Sequence, residues 1–299
     1  MLRHDVASHI KAFCRLALRR SHRSDLSGLS QVIGQTNRTE SIIENTLAVM
    51  SCVATFVEYW SRFRNYGGVC VHPDDASLAK QGDFELTLLP LPINGNLREA
   101  EAVILMLNPG LDGEDYEWER NGDFRASLLR NLNQTHGPDD SPLLYLDPRF
   151  NQHPGAGYWS RARVPKRTKR EQQKLRGIVE ALANRDGVSI ESAQAHVARK
   201  IAILQLCPYH SATMGRRDLL NRLPSCIQAR KLVHALVSSG EKLVVATRSV
   251  SEWGFAGPVE TEGLVVYRSS LGISASLSLA SAGGAAILRC LSRCAENDV

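Results

Sequence analysis

AVILML, residues 102–107, runs directly into Asn108-Pro109-Gly110, and this junction decides the architecture. Six apolar residues without alternation describe a strand buried on both faces, as parallel sheets require. The Asn-Pro-Gly turn stops the strand where the chain must leave the sheet. The pattern repeats downstream in IAILQL (201–206), LVVAT (243–247) and LVVY (264–267). Between these runs lie helical stretches at Phe124 to Asn133, Ile190 to Arg199 and Ser225 to Ser239, the last stopped by Gly240. Strands alternating with helices predict an α/β three-layer sandwich around a central, mostly parallel four-stranded sheet. Phe84 to Leu91 reads as an edge strand, because Pro90 and Pro92 cannot donate to a ladder. In such sheets ligands bind beyond the carboxyl ends of the strands. That rule selects the loops starting at Asn108, Cys207, Arg248 and Arg268.

Upstream of the alternating region the chain reads as helical. Ile43, Leu47, Met50, Ala54 and Val57 recur at three- and four-residue steps. Ser41 with Glu44 forms a capping box, and the helix should end before Gly67-Gly68. The expected division is therefore a helical N-terminal extension over 1–80 and an α/β domain over 81–299. The Arg-rich N-terminus contains Asp5 and a broken apolar face, which favours a basic surface helix over a transit peptide.

At 43% hydrophobic and 22% charged residues, the 299-residue chain has the composition of an ordinary globular protein. Its net charge of +5 acquires meaning only where cations cluster. The seven cysteines are scattered, and Cys290 with Cys294 has no second pair to complete a metal site. Reduced thiols in a cytoplasmic monomer, with neither metal nor cofactor, are the expectation. No apolar run reaches membrane-spanning length.

The chemistry-bearing residues gather at the selected loops. Asn108 carries a carboxamide with one acceptor and one donor group, suited to holding a water. Leu107 and Pro109 flank it, and Gly110 allows close approach of backbone to a ligand. Asp112, Glu114 and Asp115 follow. One of the three, Asp112 first, is expected to assist the water, the alternative being charge that complements a helix N-terminus. Tyr116, then Trp118, offer aromatic rings for stacking beside the turn. In CPYHS, residues 207–211, Tyr209 and His210 are expected at the same rim, Tyr209 to stack and His210 either to hydrogen-bond a ligand or to be satisfied by backbone. The segment NQHPGAGYWSRARVPKRTKR supplies Trp159, read either as an aromatic platform or as core. It also supplies Lys166, Arg167, Lys169 and Arg170, read as phosphate contacts or as a solvated face. Arg248 with Ser269 and Ser270 could hold phosphate at the last two loops, and Leu271 or Ile273 offers an apolar side chain that could wedge into a base stack.

The strand, the Asn-Pro-Gly turn and the acidic run after it resemble the first motif of the uracil-DNA glycosylase superfamily, in its thymine- and mismatch-type branches. The HPG-x-x-YW pattern is similar to that of bacterial relatives of the superfamily. The resemblance spans Phe84 to the C-terminus. It implies a monofunctional DNA glycosylase that acts on double-stranded DNA, extrudes a nucleotide and leaves an abasic site. The sequence departs from the uracil enzymes in two places. CPYHS lacks the Asn that reads a pyrimidine edge, and RSSLGISASLS, residues 268–278, lacks the His-Pro-Ser-type histidine. Both omissions point to a modified base, with glucosylated hydroxymethylcytosine of phage DNA as the leading expectation. A repair glycosylase for uracil or mismatched bases, and a non-catalytic DNA-binding module of the same fold, are the alternatives.

Overall fold

The computed structural model describes residues 50–159, 175–268 and 277–295. The capping box at Ser41 and Glu44, the cations Lys166, Arg167, Lys169 and Arg170, and Ser269, Ser270 and Leu271 lie outside the described residues.

Helix α1 covers residues 50–61, ending before Gly67 as expected. Its apolar face differs from the expected one. Met50 is 64% exposed and Ala54 is exposed, while Val53, Phe56, Tyr59 and Trp60 are buried. Both stripes satisfy helical spacing, and the one with the large rings removes more apolar surface from water. A hairpin follows, β1 (Arg64–Tyr66) against β2 (Val69–Val71). The chain then forms β3 (Ile93–Asn94), β4 (Ala102–Met106), α2 (Asp115–Arg120), α3 (Gly122–Asn133) and α4 (Pro154–Trp159). Next come α5 (Arg176–Asp186), α6 (Ile190–Lys200), β5 (Ile201–Gln205), α7 (Pro224–Ser239) and β6 (Leu243–Ala246). The described chain closes with β7 (Val259–Glu260), β8 (Leu264–Val266) and α8 (Ala282–Ala295).

The sheet has six strands in the order β3-β5-β4-β6-β8-β7. The four expected strands form its parallel block, β5-β4-β6-β8. Two short antiparallel strands, β3 and β7, flank that block and correct the expected count of four. Phe84 to Leu91 is not an edge strand. It makes a single antiparallel bridge, Glu85 to His210, and its hydrogen bonds are shared among unrelated partners. Cys70 N–H donates to the Leu86 carbonyl, Leu91 N–H to the Pro208 carbonyl and Leu89 N–H to Glu119 Oε1. A segment with no N–H at Pro90 and with Leu86, Leu89 and Leu91 bonded to three different parts of the chain forms no ladder.

Side chains alternate strictly across the sheet. Ala102, Ile104 and Met106 of β4 join Ile201, Ile203, Leu243 and Val245 in one core, covered by α3, α5, α6 and α8. Val103, Leu105, Ala202, Leu204, Val244 and Ala246 face the other core, covered by α1 and α7. Apolar residues on both faces explain why these strands read as unbroken hydrophobic runs. The chain leaving β4 enters α2 and α3 on the first face, whereas the chain leaving β5 reaches α7 on the second. Adjacent strands whose continuations part in this way open a crevice at their carboxyl ends. Among the described residues no helix is long and apolar enough to cross a membrane.

Candidate functional site

The crevice brings the loops after β4 and β5 together. Asn108 is half-buried, and its Nδ2 donates to the Ser211 carbonyl at 3.2 Å and to Ser211 Oγ at 3.0 Å. The carbonyl only accepts, so the carboxamide orientation is forced and Oδ1 keeps its acceptor capacity for the crevice. Gly110 has φ +81° and open space where a Cβ would sit. Its conformation, not close packing, requires glycine there. That conformation presents the Gly110 carbonyl to His210 Nδ1 at 3.1 Å, which places the imidazole proton on Nδ1. Burial pushes His210 down to about 4, and the Gly110 and Leu89 carbonyls only partly offset it. His210 is therefore a neutral ring at pH 7 that ties the second loop to the first.

Asp115, at the first turn of α2, stands between two imidazoles. Its Oδ1 is 3.5 Å from His153 Nε2 and its Oδ2 is 4.0 Å from His210 Nδ1. The Asp112 N–H donates to Asp115 Oδ2 at 2.7 Å. Burial pushes the Asp115 carboxyl up to about 6, and the charges of Asp112 and Glu114 add to it against that bond. Asp112 itself accepts from the Glu114 N–H at 3.1 Å, in the turn that starts α2. Of the three acids after the turn, the one set between the histidines is Asp115 and not Asp112.

His153 was missed as a site residue. It stacks on Phe124 (centroids 4.7 Å apart, planes at 22°) and on Tyr145 (5.4 Å, 28°). The Gly155 N–H donates to its Nδ1 at 2.9 Å, leaving the proton on Nε2 toward Asp115. A Cβ on Gly155 would fall 2.3 Å from Tyr145 Cε1, so the glycine of HPG is needed for this approach. The signal in the sequence was the His-Pro-Gly itself, read there for its aromatic neighbours alone.

A second missed residue is Gln205, the one polar side chain in IAILQL. It is 4% exposed, and its Oε1 has no hydrogen-bond partner. Gln205 pairs in register with Met106, and Thr247 Oγ1 lies 3.9 Å from Met106 Sδ. The three therefore form a row at the carboxyl ends of β5, β4 and β6, on the face that carries His153. Buried polar groups are nearly always satisfied, and Gln205 Oε1 is one of nine buried side-chain atoms among the described residues without a partner in the protein.

The remaining residues divide. Tyr116 stays half-buried at the rim, its hydroxyl donating to Glu85 Oε2 at 2.5 Å. Leu107 and Pro109 are half-buried beside Asn108, with the Leu107 carbonyl accepting from Cys207 N–H at 2.8 Å. Arg248 donates through Nη2 to Tyr158 Oη at 3.0 Å, while its buried Nε has no partner. The next residue, Ser249, takes φ +53° three residues past the end of β6, a strained conformation for a side chain with a Cβ. Tyr209 does not reach the rim. It is 1% exposed, and its hydroxyl donates to Asp75 Oδ2 at 2.6 Å and accepts from His72 N–H at 3.2 Å. Asp75 also accepts from Ser225 N–H at the start of α7, so the tyrosine belongs to a buried network that anchors that helix. Trp159, at 3% exposure, is core. Among the described residues no three His, Cys, Asp or Glu side chains are arranged to hold a metal ion.

Comparison with known proteins finds no matching family model, no matching curated protein and no matching solved structure.

Proposed function

We propose that the protein is a DNA N-glycosylase of the uracil-DNA glycosylase type. The observation that carries this reading is the Asn108 carboxamide, fixed through Nδ2 by Ser211 with Oδ1 left to hold a water at the crevice. The resemblance of the Asn-Pro-Gly junction to the superfamily's first motif supports the same chemistry. In this reading a nucleotide is extruded from the duplex and Asn108 holds water against C1′ of its sugar. The mostly parallel six-stranded sheet, with β5-β4-β6-β8 as its parallel block, supports an α/β core of the kind the resemblance implies.

The buried acceptor Gln205 Oε1 favours a base with an exocyclic amine, of which cytosine N4 is the pyrimidine example. This supports a modified cytosine, with glucosylated hydroxymethylcytosine of phage DNA the preferred substrate and defence against phage the role. The test exposes the protein to duplexes containing glucosylated hydroxymethylcytosine, unmodified hydroxymethylcytosine or uracil, then to alkali. Cleavage confined to modified-cytosine DNA is expected. Strong cleavage at uracil would replace this substrate with ordinary repair, and no alkali-labile site in any duplex would overturn the glycosylase reading.

A further inference from the structure

The half-buried pair Tyr116 and Glu85 presents hydrogen-bond acceptors at a place where ordinary DNA has no donor to offer. The Tyr116 hydroxyl donates its single proton to Glu85 Oε2 at 2.5 Å. Glu85 Oε1 is held from the other side by the Thr87 N–H at 2.9 Å and by Thr87 Oγ1 at 2.5 Å. With that proton directed at Glu85, Tyr116 Oη turns only lone pairs outward, and Glu85 Oε2 adds those of a carboxylate. The bond from Thr87 Oγ1, and then that from Tyr116, hold the Glu85 carboxyl below its ordinary range. The bond to Glu85 holds the Tyr116 phenol above its ordinary range. At pH 7 the pair is therefore acceptor-only and negatively charged. Both members sit one step from His210. The Glu85 N–H donates to the His210 carbonyl at 2.8 Å, and Tyr116 follows Asp115, whose Oδ2 is 4.0 Å from His210 Nδ1. His210 itself reaches the Gly110 carbonyl at 3.1 Å and precedes Ser211, which holds Asn108. The pair thus borders the crevice beside the Asn108 turn.

We propose that Tyr116 and Glu85 bind the hydroxyl groups of a hexose carried on the extruded base, and that this contact selects glucosylated over unmodified hydroxymethylcytosine. This deepens the glycosylase reading above and rests on it for the extruded base. The phosphates and deoxyribose oxygens of DNA only accept hydrogen bonds, the 2′-hydroxyl that could donate being absent. A carboxylate repels the phosphates as well. The partner that fits is a neutral hydroxyl donor attached to the base itself. A hexose on the hydroxymethyl group of cytosine stands off from the ring by its own width, which carries its hydroxyls from the crevice toward the rim. Bonds from those hydroxyls to the carboxylate are charge-assisted, about twice as strong as bonds between neutral groups. Glu85 has a second part in the contact, because it fixes which way the Tyr116 proton points.

The experiment measures affinity for two duplexes of one sequence, carrying either glucosylated or unmodified hydroxymethylcytosine. It uses the full-length chain with Asn108→Ala, so that binding is read without base release, and the same protein with Tyr116→Phe or Glu85→Gln added. The starting protein should bind the glucosylated duplex about tenfold to a hundredfold more tightly. Tyr116→Phe keeps the ring and removes the phenol oxygen, so the preference should shrink to within about threefold. In Glu85→Gln the near-isosteric amide can donate to Tyr116 Oη and turn the phenol proton outward, and the preference should shrink likewise. Equal affinity of the starting protein for the two duplexes would overturn the proposal. Variants that weaken both duplexes alike and keep the preference would make the pair structural and overturn it too. A preference for an RNA–DNA hybrid over the unmodified duplex, lost in the same variants, would assign the pair to a ribose hydroxyl and overturn the hexose. Base release by the wild type is read separately. No release beside an intact sugar preference would bring down the glycosylase reading and leave the sugar contact standing.

Discussion

Asn108 Nδ2 donates to Ser211 Oγ across 3.0 Å, joining the turn after β4 to the turn after β5. The accompanying bond from Nδ2 to the Ser211 carbonyl, a group that only accepts, removes the carboxamide's freedom to flip. The companion contact, His210 Nδ1 to the Gly110 carbonyl, closes the same two turns a second time. A water held by Asn108 is therefore held by a group that does not have to be ordered at the moment of reaction.

The first prediction separates Tyr209 from the site. Tyr209→Phe leaves Asp75 Oδ2 without its 2.6 Å donor and His72 N–H without its acceptor, both buried. Stability should fall by about 1–3 kcal/mol, read as a lower urea midpoint with unchanged slope. Base release by the folded variant should match wild type. Loss of activity without loss of stability would return Tyr209 to the substrate.

Gln205 should show the opposite signature. Gln205→Leu removes a buried acceptor that nothing in the protein satisfies, so stability should hold or rise by about 1 kcal/mol. Discrimination between amine-bearing and uracil-type bases should collapse by about tenfold to a hundredfold. Unchanged selectivity together with a destabilised fold would make Gln205 a packing residue.

Asp115 carries a cost that its removal should expose. Its carboxyl is raised from 3.8 to about 6 on folding, so the folded chain holds that proton more tightly than the unfolded one. The favourable contribution exists below pH 3.8 and is lost as pH rises through 6; at pH 7 the buried carboxylate destabilises the fold by at most about 3 kcal/mol. Asp115→Asn should therefore be more stable than wild type at pH 7, with the advantage shrinking between pH 6 and 4. Melting temperatures across that range provide the check, and a variant less stable at pH 7 contradicts it.

The elements legible in the sequence were those with one dominant physical demand. Ile104, Ile203 and Val245 sit in runs with both faces buried, and such runs admit one reading. Two-residue strands such as Ile93–Asn94 and Val259–Glu260 contain too few residues to show any period. The helix at 50–61 offered two stripes with the same spacing, and only the packing of Phe56 and Trp60 against the sheet chooses between them. Asn108 was legible because a strand end determines where it lies. Asp115 over Asp112 was not, because the choice depends on His153, which reaches the carboxylate only through the stacking of Phe124 and Tyr145. Tyr209 failed for a related reason: alternation at the end of β5 says nothing of an Asp75 buried beneath it.

The central claim is tested most directly on Asn108 itself. Wild type and Asn108→Ala are compared for base release under single-turnover conditions and for affinity to the same duplex. Release should fall by about 10²- to 10⁴-fold in the variant while affinity stays within a few fold, since the residue acts on water and not on phosphate. Base release by Asn108→Ala at the wild-type rate would contradict the account.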